Sequence, residues 1–290
     1  MLKLSKPASG ARRYSVLLWP SVVLLAVFFI IPMWEVLRWS VADEQGYGVS
    51  LFNFFDVLTA GVYVKLLLRT FLVAAVVAVF CLVLGYLIAL QVYKLRSGLR
   101  TFVLLAIITP MWLSVLVRTY AWMVLIGREG LINRVLLDAA IIEEPLRMLF
   151  TRGAVYLTMT QILLPIVILS SFSAMSSIDT TIVRAARVMG ASRIKAFFSV
   201  FLPLTAVGAI NGAILVFVLS LGYFVTPALV GGPDDSLVAN IISTQVTQTL
   251  QWNYAAVLAI VLIGSALTVL LPVVAIIRTV LPKNYQGGMK

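Results

Sequence analysis

The side chains that usually carry enzymatic chemistry are nearly absent from this chain of 290 residues. It has no histidine, hence no imidazole base or ligand, and its single cysteine, Cys81, excludes an intrachain disulfide and a thiolate metal cluster. No G-x-x-x-x-G-K-[ST] phosphate loop occurs, so the chain cannot itself cradle nucleotide phosphates. One polar stretch, Ile178 to Leu204, has a spacing that suits mechanical coupling instead. Asp179 or Thr180 can cap a short helix from about Thr181 to Met189, and Gly190 can turn the chain. A second amphipathic helix can then run from Ser192 toward Phe201, before Pro203 opens the next apolar run. Arg184 precedes Ala185 and Ala186, whose small side chains permit close backbone approach, so this helix, turn, helix unit has a shape that fits a groove on a partner.

The elements that must position this loop follow from composition. Hydrophobic residues make up 62% of the chain and charged residues 11%, with a mean hydropathy of +1.07. A soluble domain carries roughly a quarter charged residues, so most of this chain is solvated by lipid. A bilayer-spanning helix needs about 20 mostly apolar residues. Measured against that length, the sequence predicts an all-α polytopic membrane protein with a single transmembrane domain over 1–290 and six transmembrane helices. These fall at about 16–38, 64–93, 101–127, 153–177, 204–230 and 255–278, with the loop at about 178–203. Pro203 is expected to break the helix before the fifth span, and Gly231-Gly232-Pro233 to end it. The first run is longer than a secretory h-region and is followed by Glu35 and Arg38, so it reads as an uncleaved span.

Orientation follows from basic residues. With the N-terminus in the cytoplasm, that side collects Lys3, Lys6, Arg12, Arg13, Lys94, Arg96, Arg100, Arg184, Arg187, Arg193, Lys195, Arg278, Lys283 and Lys290, out of 22 Lys and Arg in all. Every acid except Asp179 falls on the far side. The formal charge of +11 is therefore a topology signal rather than a nucleic-acid footprint, which would need one basic solvated face. Both termini are expected in the cytoplasm.

The loop resembles the EAA loop of inner-membrane permease subunits of binding-protein-dependent ABC importers: E-A-A, three residues, G, nine residues, I, one residue, L-P. Ala185, Ala186, Gly190, Leu202 and Pro203 match, Val200 replaces the isoleucine, and Arg184 stands where the family has glutamate. LVRTYAWMVLIGREGLIN (Leu116 to Asn133) and LGYFVTPALVGGPDDSLVANII (Leu221 to Ile242) look like the spermidine/putrescine-type permeases and their relatives. The likeness spans most of the chain from about Thr70. It implies a type I importer half that pairs with a second permease subunit, two cytoplasmic ATPase subunits that hold ATP and Mg, and an external solute-binding protein. No cofactor is expected in this chain.

Other residues admit two readings each. Arg118 inside the third span either lines the outer half of a path, as an ion-pair partner for instance, or snorkels to the headgroups. Asn240, Thr244, Thr247, Gln248 and Gln251 form the polar face of a short amphipathic helix that either dips into the membrane as an outer gate or lies on its surface. Ser220, Tyr223 and Thr226 are path candidates, set against local back-bonding. Gly208 and Gly212, and Cys81, Gly85 and Ala89, read as helix-packing seams. The tryptophans are expected at span ends, and Asp234, Asp235, Glu143 and Glu144 as an acidic outer surface. A stand-alone secondary transporter would carry ionisable residues deep in several spans, and only Arg118 is near such depth. A structural membrane scaffold would leave the loop without a purpose. The resemblance admits a polyamine as solute, and also opines, ferric iron or aminoethylphosphonate.

Overall fold

The computed structural model describes residues 10–42 and 50–280. Lys3, Lys6, Lys283 and Lys290, which contribute to the expected orientation, lie outside the described residues. The described chain is built from helices and turns: α1 (Gly10–Val41), α2 (Phe52–Thr59), α3 (Gly61–Lys94), α4 (Ser97–Ile108), α5 (Val115–Ile126), α6 (Leu131–Asp138), α7 (Arg152–Ser177), α8 (Thr180–Val188), α9 (Arg193–Ala196), α10 (Leu202–Leu221), α11 (Val225–Val230), α12 (Val238–Thr247) and α13 (Trp252–Val280). Five helical stretches are long and apolar enough to cross a membrane, and a bent pair makes a sixth crossing.

The centre is a triad of α3, α7 and α10. Val77, Cys81, Met159, Leu163, Val167 and Val216 are buried together there. The predicted small-residue seams are what bring the backbones together. A Cβ added to Gly208 would lie 2.4 Å from the Ala174 Cβ, and one on Gly85 would lie 2.9 Å from the Val167 Cβ. Two polar contacts cross the same triad: the Ser170 hydroxyl donates to the Gly208 carbonyl at 2.6 Å, and Tyr86 and Thr205 share a hydroxyl contact of 2.6 Å. Outside it, α13 packs on α1, α2 and α12. Apart from Ser40, no residue of Trp19–Val41 is buried, which suits a helix that lipid covers.

The spans differ from expectation in two places. Residues 101–127 are not one straight helix: α4 and the 3₁₀ turn Thr109–Trp112 meet α5 at a bend of 103°. The two limbs pack at opposite ends of the triad, Ile107 beside Met175 and Phe201, Ile126 beside Val155 and Val230. The pair thus crosses in two pieces. Hydropathy sums alone missed the break because both limbs are equally apolar. Trp112 therefore sits at this bend rather than at a span end, and Trp122 donates to Gln161 on α7.

The second correction concerns the fifth span. It does not run over 204–230 but over Arg193–Leu221, crossing Pro203 without a break. Proline removes one donor from the helix ladder, and the π turn Phe197–Phe201 absorbs the fault by pairing the Leu202 N–H with the Phe197 carbonyl. The helix ends instead at Gly222, where the Gly222 and Tyr223 N–H groups close back on Leu219 and Ser220.

Candidate functional site

The bundle has two unlike ends. One carries Lys94, Arg96, Arg100, Arg184, Arg187, Arg193 and Lys195 with the acid Asp179; the other, called acidic below, holds Asp56, Glu129, Asp138, Glu143, Glu144, Asp234 and Asp235 among Lys65, Arg69, Arg128, Arg134, Arg147 and Arg152. At the basic end the loop folds as its local chemistry dictates. The Asp179 Oδ1 accepts the Thr181 N–H at 2.9 Å and caps α8. Those Thr181 hydrogen bonds hold the exposed Asp179 carboxyl below its ordinary range, with nearby Arg184 adding to the effect. At the other end of α8 the Gly190 N–H donates to Arg187 and the Ala191 N–H to Ala186, a Schellman closure that puts Gly190 at φ +91°. Ser192 caps the next turn through the Lys195 N–H. Phe197 and Phe201 stack at 5.7 Å, and Phe201 is buried with Ala89, Ile168 and Met175. The loop is thereby clamped to the triad by its aromatic stem.

The tip is left uncovered. Val188 is 87% exposed, Met189 82% and Ile194 72%. Ala186 turns inward and is buried, whereas Arg184 and Ala185 face out, Leu202 is half-buried and Pro203 exposed. Between the two helical pieces lies a cleft of about 580 Å³ lined by Arg184, Arg187, Val188, Ala191, Ser192 and Arg193. An exposed apolar tip rimmed by arginines is the kind of surface that marks an interaction site.

The acidic end is organised in the opposite sense, by burial. Thr226 is fully buried and its hydroxyl meets that of Thr119 at 3.0 Å, tying α11 to α5. Ser220 is also fully buried, with its hydroxyl unpartnered, and Tyr223 is half-buried against the main core. Of these three path candidates, Ser220 and Thr226 are thus buried within this chain, Ser220 at the end of α10 and Thr226 on α11 where it packs on α5 and α7. Among the described residues Arg118 has no acid partner: its Nη1 donates to the Ile162 carbonyl of α7 at 3.3 Å, and its Nε is buried without a partner.

The polar tract after Pro233 forms α12 as expected, and it is packed rather than free. The Asn240 amide donates to the Phe224 carbonyl at 2.7 Å, while its oxygen accepts the Leu237 N–H at 3.0 Å. The Val238 N–H donates to Thr70 on α3 at 3.0 Å. Thr244 is half-buried and Gln248, at the C-terminal cap, is exposed. Asp235 is not part of an acidic surface. It is buried, accepts Arg152 Nε at 2.9 Å and holds the Gly232 N–H at 3.1 Å, whereas Asp234, Glu143 and Glu144 are exposed. Thr119, Thr70 and Arg152 were not singled out by sequence because each is defined by a partner far along the chain. Among the described residues no group of His, Cys, Asp or Glu could hold a metal ion.

A six-crossing helical bundle with a clamped, uncovered loop at its basic end has the build of a transport subunit that works against a separate motor protein. Residues 81–278 match the family of binding-protein-dependent transport system inner membrane components, and the chain belongs to that family. It is 33% identical over 242 residues to the spermidine/putrescine transport system permease protein PotB of Escherichia coli, covering 82% of this chain and 88% of that one. Its identity to the protein of the same name in Haemophilus influenzae is 30% over 241 residues, covering 81% and 84%. The fold is shared with a bacterial ABC transporter involved in import of the acidic polysaccharide alginate, at 17% identity and a TM-score of 0.75 over 93% of this chain and 96% of that one. The chain is therefore an ABC importer permease, a membrane subunit of a binding-protein-dependent system.

Proposed function

We propose that this permease moves a polyamine-type cation inward. The observation that carries the reading is the similarity to two PotB proteins over more than four fifths of the chain. The basic end faces the cytoplasm, in accord with the excess of Lys and Arg there, so that both termini lie inside and the acidic end meets an external solute-binding protein. Gly190, with Arg184, Ala185 and Ala186 before it and the Leu202-Pro203 stem behind, presents the tip to a groove on a cytoplasmic ATPase subunit. Two such ATPases, holding ATP and Mg, and a second permease complete the complex, which supplies the power stroke that this chain lacks the phosphate loop to provide. Tyr223, with Asn240, Thr244 and Gln248 of α12, forms the outer gate around the path, and Arg118, Ser220 and Thr226 brace that gate from within.

The test is uptake of labelled putrescine and spermidine into vesicles holding the complex co-purified with its ATPase and binding protein. ATP-dependent accumulation of either amine is expected. Accumulation of an anionic or zwitterionic solute, with both amines excluded, would overturn the cargo assignment. Purification of a competent transporter without an ATPase would overturn the mechanism.

A further inference from the structure

Beside the loop, the basic end holds a second cavity of about 590 Å³ between the ends of α7 and α10, reached from the side where α8 begins. Its polar lining is Ser170, Ser173, Ser177, Asp179 and Asn211. Ser170, Ser173 and Ser177 recur at helical spacing on one face of α7, and Asn211 lies near the middle of the Arg193–Leu221 crossing. Asn211 is exposed, and neither its amide nor the Ser173 hydroxyl has a hydrogen-bond partner among the described residues. An unpaired amide at mid-membrane depth is costly against lipid and is tolerated where it lines a water-filled cavity. The charge pattern singles out one more residue. Among the described residues Asp179 is the only acid at an end that otherwise presents Lys94, Arg96, Arg100, Arg184, Arg187, Arg193 and Lys195.

We infer that this cavity is a cation-selective exit vestibule, in which the Asp179 carboxylate receives an alkylammonium group while Ser173, Ser177 and Asn211 replace its water. Without that carboxylate a departing cation would meet only arginine and lysine. The hydrogen bonds from Thr181 further favour the ionised form of Asp179, and a carboxylate has lone pairs for a further donor beyond those that cap α8. One side chain thus belongs both to the exit of the path and to the start of the coupling helix. The inference rests on the proposed orientation and cargo charge, and its test is chosen to be independent of cargo.

A cysteine is placed by Ser173→Cys in a Cys81→Ser background. The assembled complex is then exposed from its cytoplasmic side to a trimethylammonium-ethyl and to a sulfonato-ethyl methanethiosulfonate. The cationic reagent is expected to react faster, relative to the anionic one, than it does when Asp179→Asn is added. A unit charge felt across roughly 10 Å at an effective dielectric of about 40 to 80 predicts that this ratio falls about four- to fifteenfold. High salt should shrink the difference. Asparagine caps a helix as well as aspartate does, so the thermal midpoint of the assembled complex should be unchanged by Asp179→Asn, and a change in the ratio then reports the lost charge rather than a lost fold. A ratio that Asp179→Asn leaves unchanged overturns the vestibule, as does a cysteine that neither reagent reaches. Failure of the wild-type complex to take up any amine rejects the polyamine cargo instead, and the charge ratio remains a separate measurement.

Discussion

The two ends of the α10 crossing solve opposite problems. At the basic end the loop over 178–201 spends its polar groups on itself locally, through caps at Asp179 and Ser192 and a left-handed Gly190, and leaves Val188, Met189 and Ile194 bare. At the acidic end the polar groups bind across the fold: Thr119 to Thr226, Thr70 to the α12 backbone, Arg152 to Asp235. One end is shaped for a partner and the other is fastened to its own bundle. Coupling should therefore be fragile at the first and stability at the second.

The largest expected effect is at Gly190. A Cβ there meets nothing within 4 Å, so the cost of Gly190→Val is backbone strain at φ +91° rather than a clash. Left-handed strain of about 1 to 2 kcal/mol for an L-residue, more for a β-branched one, should cut binding-protein-stimulated ATP hydrolysis on the order of tenfold while leaving the thermal midpoint of the complex nearly unchanged. Stimulation equal to wild type would show that the turn does not govern coupling.

Asp235→Ala should do the reverse. It strips the Arg152 guanidinium of its partner and leaves the Gly232 N–H unpaired, at about 1 to 3 kcal/mol for a buried group left unsatisfied. The expected result is a drop of several degrees in thermal midpoint with basal ATP hydrolysis preserved, read by differential scanning fluorimetry in detergent. Arg152→Ala should cost less, because that side chain is 49% exposed. A midpoint unaffected by either change would dissolve the contrast between the two ends.

Arg184 sharpens the comparison, since it is exposed and unpaired among the described residues. Where it meets an acidic or carbonyl-rich part of the ATPase groove, a charge-assisted contact is worth about 1.5 to 3 kcal/mol. Arg184→Glu should then weaken assembly about tenfold more than Arg184→Ala, measured by co-purified ATPase. Equal recovery of ATPase with both variants would mean that the side chain points to water. The smallest effect concerns Gln248. In a Cys81→Ser background, Gln248→Cys should react slowly with an impermeant external thiol reagent at rest and several-fold faster when ATP and binding protein hold the complex, if α12 belongs to a gate. Rapid labelling in both states would make it a surface residue.

How much of this was legible follows the same division. The loop could be read almost residue by residue, because an N-cap, a Schellman turn and a helix stem each depend on neighbours within about six positions. Only the response to Pro203 was misjudged, since the π turn that rescues the helix depends on Phe197 and Phe201 being anchored in the core. The acidic end was far less legible. Its deciding contacts join residues 107, 168 and 83 positions apart, so the Thr119 partner of Thr226 was invisible and Asp235 looked like a surface acid until Arg152 came into place.

The sequence by itself determined the membrane environment, the number of crossings, the basic and acidic ends and the knob at Gly190, because hydropathy, charge placement and capping are sums over neighbouring residues. Only the tertiary structure decided that the third crossing bends by 103°, that the fifth ends at Leu221, and that Ser173, Asp179 and Asn211 share one cavity. In each case the deciding term is packing against segments far along the chain, such as Ile107 and Ile126 in separate apolar clusters, which no sum over neighbouring residues contains.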